Sequence, residues 1–166
     1  RIGTAGLTAQ AVGARDPKDG LLHVARAIGI AVIAAALMLV LQAPLLWLAN
    51  LTMAPSAGVE VALRQYFEVR IWSAPFSLMN YALLGWFYGR AQARTGMVLQ
   101  MLIHGINIPL SILFVMGLGW GPFGAALSTV IGQAVSCALG LMLLVRHFGG
   151  LGRLMTLLVP DELLHG

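Results

Sequence analysis

The chain has 166 residues, 59% of them hydrophobic and only 10% charged, with a mean hydropathy of +0.87 and a formal net charge of +4. A soluble domain carries about 25% charged residues, so this composition excludes an ordinary water-soluble domain and points to lipid. The basic residues sit at the ends of apolar runs, where membrane topology accounts for them and nucleic-acid binding need not be invoked.

In chain order, residues 1–14 are rich in Gly, Ala and Thr and read as the last part of a helix that begins before Arg1. RDPKDG, Arg15 to Gly20, carries Pro and Gly and predicts a loop. From about 21 to 49 the chain is apolar apart from a few residues, long enough to cross a hydrocarbon core of about 30 Å. Pro44 predicts a kink in this helix, and Trp47 an interfacial anchor.

Asn50 to Gly58 reads as a connection, after which a helix over about 60–89 opens with Glu60, Arg64 and Glu68 at ion-pair spacing. Pro75 marks a second kink within it, while Ser73, Ser77 and Asn80 share one face. Arg90 to Arg94 is a short basic loop. The next helix is predicted over about 95–118, a Gly-rich turn follows, and the last helix runs from about 122 to 146. In it Ser128, Gly132, Ser136 and Gly140 form a ridge of small residues at four-residue spacing, a helix-packing signal. Thr129 and Gln133 add a polar face. Leu151, Leu154, Met155 and Leu158 predict an amphipathic linker over 149–166 lying along the membrane surface.

If the helices alternate across the membrane, Arg15, Lys18, Arg26, Arg90, Arg94, Arg146 and Arg153 fall on one side and only Arg64 and Arg70 on the other. The positive-inside rule then makes 15–26, 90–94 and 146–166 cytoplasmic. The expected fold class is an all-α integral membrane protein with four full transmembrane helices and the end of a fifth.

Chemistry-bearing motifs are scarce. There is no G-x-x-x-x-G-K-[ST] phosphate loop, and His23, His104, His147 and His165 have no metal-ligand spacing. Lone Cys137 cannot form an internal disulfide. No enzymatic activity, cofactor or metal is expected. What stands out is Gln100, His104, Asn107 and Ser111, recurring at steps of four, three and four inside an apolar helix. They share one face, and polar groups in hydrocarbon cost several kcal/mol each unless partnered. Such a stripe either packs against neighbouring helices or lines a water-filled pathway. Pro109, inside the stripe, frees the Gly105 carbonyl from its helical bond. The freed oxygen could serve a cation, or the kink could be absorbed by packing.

Three stretches in matching order carry a resemblance: GTAGLTAQAVGARD near the start, YFEVRIWSAPFSLMNYALLGWFYGRAQAR in the middle, and INIPLSILFVMGLGWGPFGAALSTVIGQ near the end. Together they resemble the multidrug and toxic compound extrusion (MATE) transporters, specifically the branch of DNA-damage-inducible protein F (DinF). The resemblance implies most of an N-terminal six-helix lobe, from the end of helix two through helix six, with a C-terminal lobe to follow. It implies ion-gradient-driven antiport of small organic, cationic substrates across the cell's inner (plasma) membrane by alternating access, with a proton or sodium as coupling ion. By the same resemblance Asn107 lines the lobe's cavity, with Thr129 and Tyr66 as further polar members. His104, Asn80 and Gln133 are weaker candidates. Ser111 stands where many family members carry an aspartate, and Pro109 where they carry an aliphatic residue. Two alternatives remain: a flippase for a lipid-linked precursor, or a degenerate membrane protein that does not transport.

Overall fold

A computed structural model describes residues 2–14, 17–53 and 55–150 of the chain. The described residues form helices and turns, with no strand among them. In order these are α1 (Ile2–Gly13), α2 (Pro17–Val40), α3 (Gln42–Met53), α4 (Ala57–Arg70), a 3₁₀ turn at Ile71–Ser73, α5 (Ala74–Gly89), α6 (Ala93–Ile112), a π-helical turn at Leu113–Gly117, and α7 (Gly121–His147). Among the described residues, three helices are long and apolar enough to cross a membrane: Gly20–Val40, Ala93–Gly117 and Gly121–His147.

The breaks follow from the prolines. Pro44 has no N–H to give the Val40 carbonyl, and the stretch read as one helix over 21–49 divides at Leu41 into α2 and α3. Leu41 N–H still reaches the Leu37 carbonyl at 2.9 Å and Leu45 N–H the Leu41 carbonyl at 3.0 Å, so the two pieces remain stacked on each other. Pro75 likewise cannot serve the Ile71 carbonyl, and the Ala74 N–H takes that oxygen in the 3₁₀ turn. The fourth full span expected over 60–89 is therefore a segmented helix, α4 plus α5, in which α5 has only 16 residues. Two connections are also shorter than the sequence suggests. Residues 17–20, expected in a loop, are the first turn of α2, and α3 continues to Met53. The amphipathic linker lies almost wholly in 151–166, outside the described residues.

The core sits at one end of the bundle, where α2 begins, α5 ends, α6 begins and α7 ends. Leu21, Val24, Leu83, Leu84, Trp86, Phe87, Leu99, Cys137, Leu144 and Phe148 form one buried cluster there. Trp86 is its centre, fully buried, with Phe87 edge-on at 4.9 Å, the His147 ring edge-on at 5.1 Å, and the Arg90 guanidinium 5.1 Å over its face. The aromatic face supplies the electrostatic partner that a guanidinium at a helix end otherwise takes from water. Arg90, Arg94 and Arg146 thus gather at one end of the molecule, with α1 packed alongside through Thr8 against Gly89.

At the far end α6 turns into α7 through Gly119 and Gly121, with φ of +69° and +53°, values at which a side chain would be strained. The π-turn places Phe114 in a stack with Trp120 at 5.1 Å and closes the corner. The outer surfaces are apolar: Ile30, Ile33, Val40, Met101, Ile108, Ile112 and Met116 are all exposed. Contiguous apolar surface of this kind is untenable in water and ordinary in a bilayer. On α4, Arg64 Nε pairs with Glu68 Oε1 at 3.1 Å, not with Glu60. Both side chains are exposed, so the pair adds little stability.

Candidate polar site on the last three helices

The polar residues of the apolar helices meet on one helix, α7. From α6, Asn107 Nδ2 donates to Thr129 Oγ1 at 2.9 Å and to Ser128 Oγ at 3.2 Å. Both hydroxyls in turn donate to the Ala125 carbonyl, at 2.8 Å from Ser128 and 3.1 Å from Thr129. Their protons are thereby committed within α7, which leaves their lone pairs for the amide and fixes its orientation. The Asn107 Oδ1 then takes no hydrogen bond among the described residues, and remains a free acceptor at this depth.

One turn further along α7, Gln133 repeats the arrangement toward α5. Asn80 Nδ2, from a side chain only 2% exposed, donates to Gln133 Oε1 at 2.8 Å and to the Gln133 carbonyl at 2.9 Å. One more turn down, Ser136 Oγ donates to the Leu99 carbonyl of α6 at 3.1 Å. Between these contacts Gly132 lets the backbones of α6 and α7 touch. A methyl group there would stand 2.8 Å from the Ile103 carbonyl oxygen. The ridge of Ser128, Gly132, Ser136 and Gly140 is buried throughout, which is the packing role its spacing predicts.

The stripe on α6 is not a single unit. At about 100° per residue, Asn107 lies nearest the buried Leu99–Ile103 face and His104 roughly 60° farther round. Asn107 accordingly meets α7, while His104 is exposed and shares only a 3.4 Å contact with Gln100. Ser111 is half-buried and has no hydrogen-bond partner among the described residues. Tyr66, on α4, is 38% exposed and stands outside the hydrogen-bonded group. Pro109 lies two residues from Asn107 on the opposite side of α6, exposed beside Ile112, Leu113 and Met116.

Two members of the polar group were not singled out from the sequence as site residues. Ser128 belongs by spacing to the packing ridge, and its position next to Thr129 is the signal that also brings it to Asn107. Ser77 Oγ, on the same α5 face as Asn80, is buried with no protein partner. No cluster of His, Cys, Asp or Glu suited to a metal occurs among the described residues.

The Asn80–Gln133 contact couples two helices, and its strength is measurable. In a double-mutant cycle of Asn80→Ala and Gln133→Ala, followed by unfolding in detergent, we expect a coupling of about 0.6 to 1.7 kcal/mol, from the average to the largest value for hydrogen bonds between membrane helices.

Long apolar helices whose polar side chains turn inward on one another define a multi-pass membrane protein with an inner polar face. The chain belongs to the MatE family, whose model matches residues 1–113. The members of this family are transporters and not enzymes. The chain is 38% identical over 143 residues to DNA damage-inducible protein F of Escherichia coli (strain K12), a match covering 86% of this chain and 31% of that protein. Its fold is similar to an inward-facing structure of a multidrug resistance MATE family transporter of the MOP superfamily, with a TM-score of 0.79 and 23% identity over 87% of this chain and 32% of that one. An outward-facing structure of a transporter so described matches equally well, with a TM-score of 0.79 and 25% identity over 86% of this chain and 32% of the other. The chain thus spans about a third of the length of these relatives.

Proposed function

We propose that this chain is part of the N-terminal lobe of a secondary transporter that exports small organic, cationic compounds in exchange for a proton or sodium ion. The observation that carries this reading is the Asn107–Ser128–Thr129 group. Polar side chains inside apolar helices mark pathways when they face a cavity, and here an amide oxygen is left without a partner at that depth. An acceptor oxygen in a low-dielectric setting suits a cation or a hydrogen-bond donor. Similarity to both an inward-facing and an outward-facing transporter supports alternating access, in which one lobe rocks against another. A C-terminal lobe in the same protein would complete the pathway, in the plasma membrane, with the basic end of the bundle on the cytoplasmic side. The three described spans Gly20–Val40, Ala93–Gly117 and Gly121–His147 hold no carboxylate, and His104 is the titratable side chain one turn before Asn107 on α6.

Transport by the full-length protein in proteoliposomes tests this reading, with tetraphenylphosphonium as probe and an imposed proton or sodium gradient. Gradient-dependent movement of the probe is expected, and none under either gradient would overturn it. Ser111→Asp places a carboxyl one turn from Asn107. We expect that variant to respond to the proton gradient at least as strongly as the parent, and a weaker response would exclude residue 111 from the path.

A further inference from the structure

A groove of about 700 Å³ runs between α1, α2 and α5, away from the polar group on α7. Its walls are apolar and its floor is made of small residues, with Gly3, Ala27, Ala31, Ala34 and Ala82 leaving the width that larger side chains would fill. One end is different. Arg26 and His23, one turn apart on α2, line it at the end of the bundle where Arg90, Arg94 and Arg146 also gather. Arg26 is exposed, and its guanidinium meets no carboxylate among the described residues.

From Arg26 to Ala34 the groove follows α2 for about 12 Å, at 1.5 Å per residue. It therefore starts at the basic end and reaches toward the middle of the bundle. We infer that this groove holds one anionic phospholipid from the leaflet at the basic end. An acyl chain lies along Ala27, Ala31 and Ala34, and the phosphate rests against Arg26. Charge complementarity selects this occupant. An apolar slot alone would take any lipid tail, but an exposed guanidinium that meets no carboxylate among the described residues favours a headgroup of net negative charge, as basic pockets at helix ends do. A hydrocarbon substrate without charge would leave Arg26 unpaired. A cation would be repelled by it.

Native mass spectrometry of the full-length protein, titrated with phosphatidylglycerol or phosphatidylcholine of matched chains, tests the site. We expect one tightly retained phosphatidylglycerol, preferred by about fivefold, the worth of one basic residue at an anionic surface. Arg26→Gln should bring the two lipids to within twofold of each other. Ala34→Leu, which fills the slot, should lower retention of both. Equal binding of the two lipids by the parent protein would overturn the assignment, as would a preference that survives Arg26→Gln. So would protection of the Ile30→Cys variant from thiol labelling in lipid-free protein, because another segment of the chain would then occupy the groove. None of these outcomes depends on transport, so they leave the proposed function untouched.

Discussion

Gly132→Leu should destabilise the protein by about 3 kcal/mol or more, at the upper end of the cost of overpacking a filled interior. The expectation rests on what a side chain at 132 would meet. Its first carbon would fall 2.8 Å from the Ile103 carbonyl oxygen, and Asn107 Cβ is 3.7 Å away. The nearest obstacle is backbone, which cannot rotate aside as a side chain can, so α6 and α7 must separate. Separation would also lengthen the Asn107–Thr129 bond above and the Ser136–Leu99 bond below. Gly29→Ala is the control, since nothing lies within 4 Å of a methyl group there. Thermal unfolding in mild detergent should show a large loss for Gly132→Leu and almost none for Gly29→Ala. Equal effects would mean that helix propensity and not the close approach governs both.

The same helix pair shows which features were legible in the sequence. Small residues at four-residue spacing can only mean one close-packed face, so Ser128, Gly132, Ser136 and Gly140 were readable without a structure. The stripe on α6 was readable as a face but not as a site. Four residues within roughly 60° of arc look equivalent by periodicity, yet a neighbouring helix covers only part of that arc. Asn107 lies on the covered side and His104 on the open one, a difference set by where α7 sits. Proline positions foretold irregularity at 44 and 75. They did not foretell that the helix over 60–89 would divide into two pieces of unlike character, because a kink and a 3₁₀ break follow from the same missing N–H. The π-turn at Leu113–Gly117 depends on how the corner through Gly119 and Gly121 closes, and local propensity says little about such a corner. The loop expected over Arg15–Gly20 gives way to helix at Pro17, as proline at a first-turn position readily begins one.

Asn107→Leu should lower transport of a cationic probe by about tenfold or more while leaving the fold nearly as stable. The two effects separate for a chemical reason. The hydroxyls of Ser128 and Thr129 already donate to the Ala125 carbonyl, so losing the amide does not orphan them. The cost to stability should stay near the roughly 0.6 kcal/mol average for a hydrogen bond between membrane helices. For a passing substrate the loss is different in kind. The Oδ1 that faces no protein donor disappears, and an apolar side chain takes its place in the polar group. Removal of a polar partner from a desolvated cation or donor costs about 1.5 to 3 kcal/mol, a factor of ten or more in rate or affinity. Asn107→Asp should restore an acceptor but lose the donor, so the two hydroxyls must turn from Ala125 to meet it. Its transport should therefore depend on pH where the parent's does not through this residue, rising as the carboxyl ionises. Parallel measurements of unfolding temperature and of tetraphenylphosphonium movement in proteoliposomes would separate these outcomes. If Asn107→Leu lost stability and transport together, Asn107 would be a packing residue. If it lost neither, the pathway would lie elsewhere in the bundle.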